Sequence, residues 1–128
     1  MAKLLIVDDD FDIVELMTEV LESAGHVVHS GRTGEEGLKV LRASPLPDAI
    51  LLDVDMPVLG GPAMAHKMLL HDAGEENVPI ILCSARSDLP SLASEMGTPY
   101  ALTKPFELSA LLTVLQRAIR ERVAPASA

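Results

Sequence analysis

Five short apolar runs punctuate the chain: Leu4–Val7, Val27–His29, Ala49–Leu52, Val78–Cys83 and Ala101–Thr103. Their brevity and β-branched content predict strands. In Ala49-Ile50-Leu51-Leu52 the apolar character is continuous rather than alternating, the mark of a strand covered on both faces by helices in a parallel sheet. Helical spacing fills the intervals. Ile13, Leu16, Met17, Val20 and Leu21 keep the period of one helix face, and Gly25 stands where a C-terminal cap belongs. Leu89, Leu92, Ala93 and Met96 repeat the pattern before Gly97, as do Leu108, Leu111, Leu112 and Leu115 in the last segment. The middle helices leave thin stripes, Gly34, Gly37, Leu38 and Leu41 in one and Met64 with Met68 in the other.

Strand and helix thus alternate five times. Such alternation predicts a doubly wound α/β fold, a five-stranded parallel sheet with helices on both faces, and places any site at the carboxyl ends of the strands. One domain over residues 1–122 is expected, followed by a disordered tail over 123–128. At 128 residues and 48% hydrophobic content, the chain can bury a core of its own.

Charge narrows the partners. Ten basic residues against nineteen acidic ones give a formal charge of -9, the wrong sign for gripping a phosphate backbone or an anionic leaflet. No direct nucleic-acid or membrane partner is expected, and a monomer or weak dimer is. A single cysteine, Cys83, and no zinc-type ligand spacing suit a reducing compartment. Met1 leads almost at once into a strand-like run without the features of a signal peptide, so a cytoplasmic location is expected.

Polar residues collect where the strands finish. The first runs into Asp8-Asp9-Asp10, the third into Asp53, the fourth into Ser84 and the fifth into Lys104. Because those ends share one edge of a parallel sheet, carboxylates, a hydroxyl and an ammonium should meet in one crevice. Clustered carboxylates repel one another unless a hard divalent cation gathers them. Mg²⁺ fits best, since it takes one or two carboxylates together with a phosphate oxygen. Asp10 and Asp12 have a simpler reading as caps of the helix that follows. Cys83 should face away from Ser84 as a small buried apolar residue, and His26, His29, His66 and His71 share no motif.

These residues together resemble the signature of response regulator receiver domains. Asp8-Asp9, Asp53 within Leu52-Asp53-Val54-Asp55-Met56-Pro57, Ser84-Ala85 and Lys104-Pro105-Phe106 occur in the family's order over nearly the whole chain. The resemblance implies that Asp53 is a phosphoryl-accepting nucleophile and Asp9 a direct Mg²⁺ ligand, with Asp8 a ligand that can act through water. It also implies that the backbone carbonyl of Asp55 completes the metal set, that Ser84 and Lys104 hold phosphoryl oxygens, and that the Lys104–Pro105 bond is cis. The implied donor is a phosphohistidine on a sensor histidine kinase or a histidine phosphotransfer protein. The implied output is contact with a protein target or onward phosphotransfer.

Asp53-Val54-Asp55 also resembles the nucleophile loop of haloacid-dehalogenase phosphatases, in which the second Asp protonates the leaving group. That family's acidic pair lies downstream, whereas Asp8-Asp9 lies upstream. The chain departs from the receiver pattern at Ala101, three residues before Lys104, where receivers often carry an aromatic that reports the state of the site. Tyr100 is one position earlier. Arg86, two residues after Ser84, is placed to pair with Asp55 across the mouth of the crevice.

Overall fold

The computed structural model describes residues 2–43, 45–71 and 74–125. Strands β1 (Lys3–Val7), β2 (Val27–Gly31), β3 (Ala49–Asp53), β4 (Ile80–Ser84) and β5 (Tyr100–Thr103) alternate with helices α1 (Phe11–Ser23), α2 (Gly34–Ala43), α3 (Gly61–His71), α4 (Leu89–Met96) and α5 (Leu108–Glu121). The strands form one parallel sheet in the order β2-β1-β3-β4-β5. The chain therefore winds one way from β1 to β2 and the other way from β3 onward. The crevice at that reversal lies beside the ends of β1 and β3.

Side-chain alternation along the central strands divides the core in two. Leu4, Ile6, Leu51, Ile81 and Cys83 turn toward Met17 and Leu21 of α1 and Leu111, Val114 and Leu115 of α5. Their neighbours Leu5, Val7, Ile50, Leu52 and Ile80 turn toward Leu38 and Leu41 of α2 and Met64 and Met68 of α3. A smaller cluster, Val54 and Leu82 with Leu89 and Ala93, seats α4. Every residue of β3 is buried, as its unbroken apolar run requires. Truncating Leu51 to Ala would cost about 2–5 kcal/mol, the usual range for a cavity in such a core.

Local chemistry sets the helix ends. The Asp10 carboxylate accepts from the backbone N–H groups of Asp12 and Ile13, capping α1. Gly25 follows the end of that helix at φ 94°, and Gly97 ends α4 at φ 72°; a Cβ would be strained at either place. The thin stripe of α2 has a physical cause. A Cβ on Gly37 would lie 2.8 Å from a methyl of Val7, so this helix contributes closeness of backbone where other helices contribute side chains.

Two apolar stripes are rotated from their expected positions. Leu16 is 51% exposed, and α1 faces the core through Met17 and Leu21. In α5 the inward residues are Leu111, Val114, Leu115 and Ala118, while Leu108 and Leu112 stay exposed. The last strand begins one residue early, at Tyr100. Val123–Pro125 lies outside any helix or strand, and the rest of the expected tail, 126–128, is outside the described residues.

Candidate functional site

The carboxyl ends of β1, β3, β4 and β5 bring the expected residues together. Carboxylate oxygens of Asp8, Asp9 and Asp53 all lie within 4.8 Å of one another. Asp8 and Asp53 are buried and Asp9 is exposed, so the group opens toward solvent on one side. Lys104, carried by the loop after β5, places its Nζ 2.6 Å from Asp8 Oδ2 and 3.2 Å from Asp53 Oδ1. Backbone bonds hold these ends in register: the N–H of Lys104 donates to the carbonyl of Ser84, and that of Val54 donates to the carbonyl of Cys83. The Lys104–Pro105 bond is cis, in line with the resemblance.

The electrostatics follow from the stoichiometry. Three carboxylates share one ammonium. The Asp53 carboxyl is pushed up to about 6, first by burial and then by the charge of Asp8, both outweighing the opposing pull of Lys104. Burial alone would lower Lys104, but its hydrogen bond and attraction to Asp8, with Asp53 adding to both, raise it instead. The lysine therefore stays charged, and Asp53 carries a destabilised negative charge that a further cation or an incoming electrophile would relieve.

Ser84 ends β4 with its side chain buried, and its Oγ accepts from the backbone N–H of Arg86 at 3.0 Å. With that lone pair used, the hydroxyl proton remains available to a ligand oxygen. The approach of α3 is equally specific: a Cβ on Gly61 would collide with the carbonyl oxygen of Asp53, so only glycine lets the helix start against the back of that residue.

Asp55 stands apart from the other expected ligands. Its carboxylate is exposed and pairs with Arg86 Nη1 at 3.2 Å. As a side chain it does not join the acidic group, which removes the proton-donor role that a haloacid-dehalogenase-like reading requires. Cys83 is buried in the α1/α5 core, where burial pushes its thiol up to about 12. The expected Arg86–Asp55 pair is present, together with a partner that sequence reasoning missed. Asp88 takes Arg86 Nε and Nη2 at 2.9 Å each; the Arg86-Ser87-Asp88 spacing was its only signal.

Residues 4–116 match the sequence model of the family described as response regulator receiver domain. The chain is a response regulator receiver domain. The receiver is 33% identical to the transcriptional regulatory protein PrrA of Mycobacterium leprae over 98% of its own length and 53% of the relative's. It thus spans about half of that longer protein. It is also 32% identical to protein PilH of Pseudomonas aeruginosa, over 90% of this chain and 95% of PilH. Among solved structures, the chemotaxis protein CheY4 of Vibrio cholerae superposes with a TM-score of 0.81 at 30% identity, covering 91% of this chain and 98% of that one. A putative response regulator from Chloroflexus aurantiacus gives a TM-score of 0.84 at 31% identity over 93% and 98%. As a receiver, the chain is a two-component signalling domain, and the Asp8, Asp9 and Asp53 group fits the family's phosphoacceptor site. Among the described residues no helix is long and apolar enough to cross a membrane.

Proposed function

We propose that Asp53 accepts a phosphoryl group from a phosphohistidine on a sensor histidine kinase or a histidine phosphotransfer protein, in a Mg²⁺-dependent reaction. The observation that carries this reading is the excess of negative charge around Asp53: two further carboxylates within 4.8 Å and one ammonium bonded to two of the three. The donor set fits a hard divalent cation, since every ligand is oxygen and exposed Asp9 borders solvent. Asp8, Asp9, Asp53 and the backbone carbonyl of Asp55 would hold Mg²⁺. When bound, Mg²⁺ neutralises charge on the transferring group.

A carboxylate is a weak nucleophile, so the transfer depends on positioning and on neutralising the equatorial phosphoryl oxygens. An Asp53 oxygen attacks phosphorus while the bond to the donor imidazole breaks. Lys104 Nζ, already bonded to Asp53, is placed to donate to one phosphoryl oxygen. The Ser84 hydroxyl, with Arg86 N–H on its lone pair, donates its proton to another. Ala85 is exposed and small, which leaves room for a bulky donor. The phosphorylated receiver then acts by contact with a protein target or by passing the group on.

Intact mass spectrometry after incubation with acetyl phosphate and Mg²⁺ tests the assignment. One added phosphoryl group is expected on the native chain, and none on Asp53→Asn or after removal of Mg²⁺ with EDTA. Equal labelling of the native chain and Asp53→Asn would exclude Asp53 as the acceptor.

A further inference from the structure

The aromatic route out of the site is absent from this chain, and the reasons are geometric. Ala101 is exposed on β5 and carries only a methyl group. Tyr100 points to the opposite face, fully buried, with its hydroxyl donating to Glu121 Oε1 at 3.0 Å and the Arg117 guanidinium over its ring. Tyr100 cannot swing toward Ser84 without giving up its contacts with Glu121 and Arg117 of α5, and the methyl group of Ala101 has no reach. The charge change at Asp53 needs another element with two arrangements, because a new group shifts an equilibrium only through differential contacts.

Arg86 is tied to three different parts of the site edge. Its backbone N–H bonds Ser84 Oγ, its Nη1 meets Asp55 on the loop after Asp53, and its Nε and Nη2 grip Asp88 as a fork. Asp88 is the residue immediately before α4, where an aspartate ordinarily bonds the unpaired N–H groups of the first turn. Here it makes no such bond, and both of its oxygens accept from Arg86 instead.

We infer that Arg86 is the switch of this receiver: it clasps Asp55 and Asp88 while Asp53 carries no phosphoryl group, and releases Asp88 to the N-terminus of α4 when it does. The inference rests on the phosphoacceptor reading of Asp53. The clasp is built from exposed side chains, 45% for Arg86, 67% for Asp55 and 47% for Asp88, and such pairs contribute little net stability. That weakness suits a switch, since little is lost when the guanidinium changes partner. A dianionic phosphoryl group on Asp53, two residues before Asp55, attracts a guanidinium more strongly than a single carboxylate does. The hydroxyl of Ser84, recruited by the same group, pulls the backbone of Arg86 in the same direction. Freed from the fork, the Asp88 carboxylate turns to the N–H of Ser91, since Pro90 has none and those of Leu89 and Leu92 already bond the carbonyls of Arg86 and Asp88; negative charge there is favoured by the helix dipole. Output then leaves through the start of α4 rather than through β5.

Amide and guanidinium NMR on the full chain with Mg²⁺ and saturating beryllofluoride, a stable mimic of the acyl phosphate, tests this. The native protein should shift the Arg86 Nε–H signal and the amides of Leu89, Ser91 and Leu92 along with those near Asp53. Arg86→Gln should keep the response near Asp53 and lose the α4 response several-fold. Asp88→Asn retains an oxygen acceptor but loses the charge that holds Arg86. Without beryllofluoride it should already move the amides of Leu89, Ser91 and Leu92 toward their positions in the native complex. An α4 response of full size in Arg86→Gln, or unmoved α4 amides in Asp88→Asn, overturns the switch. Failure of the underlying reading looks different: no beryllofluoride response near Asp53 in the native protein, and no phosphoryl uptake by mass.

Discussion

Two buried carboxylates in this fold, Asp53 and Glu75, meet opposite fates. Glu75 opens the 3₁₀ turn Glu75–Asn77 and is 2% exposed. It receives the Arg42 guanidinium through Nη2 at 2.8 Å and Nε at 3.2 Å, and His71 Nδ1 lies 3.2 Å from its other oxygen. One guanidinium answers its one negative charge. Asp53 is 7% exposed, yet it shares one ammonium with two other carboxylates. Burial is similar and charge balance is reversed. A buried acid whose partners match it fastens elements together, here α2 to the end of α3; one whose partners leave negative charge in excess is prepared to take up a cation or an electrophile.

Stability measurements can break this contrast. Glu75→Ala should lower the unfolding free energy by about 2 kcal/mol, less than a fully buried pair because the Arg42 side chain is 39% exposed and regains water. Urea unfolding would measure it, and a loss no larger than that of an ordinary surface substitution would place Glu75 among incidental contacts.

Asp53→Asn should act in the other direction. Burial and the charge of Asp8 hold the folded carboxyl at about 6, above the 3.8 of a free aspartate, so the protonated form is favoured by the fold. The stability this group contributes is complete below about pH 4 and is lost as pH rises through about 6. In EDTA at pH 7.5 the Asn variant should therefore be more stable than the native chain by about 1 kcal/mol, after allowance for solvent screening at the open side of the crevice. The gain should vanish near pH 4 and shrink when Mg²⁺ is added to the native protein. A gain independent of pH would mean that charge repulsion is not its source.

The smallest effect belongs to His71→Gln. His71 is 43% exposed, and Arg42 already supplies the fork that Glu75 needs, so thermal unfolding at pH 7 should change by no more than about 0.5 kcal/mol. A larger loss would show that the histidine shares the pairing equally.

The site was legible in the sequence because its members lie at strand ends. Asp8, Asp53, Ser84 and Lys104 each follow an apolar run, and in a parallel sheet joined by crossovers all such ends fall on one edge. The separation of 96 residues between Asp8 and Lys104 did not hide their contact. Glu75 was illegible for the converse reason: Glu75-Glu76-Asn77 reads as a polar surface turn, and only Arg42, 33 residues earlier, makes it a buried anchor. The clasp of Asp88 was hidden likewise, since an aspartate before a helix reads as its cap.

The sequence by itself determined the five-fold alternation of strand and helix, the covering of β3 on both faces, and the convergence of Asp8, Asp53, Ser84 and Lys104 on one sheet edge, because these depend on local periodicity and on topology. Only the tertiary structure decided which carboxylates find cations, that Leu16, Leu108 and Leu112 face out, and that Tyr100 faces in while Ala101 faces out. Those outcomes depend on the angular position of a side chain and on its reach between elements packed together from distant parts of the chain. A shift of one residue along a strand, or of 100° around a helix, reverses them without altering the hydrophobic pattern that builds the fold.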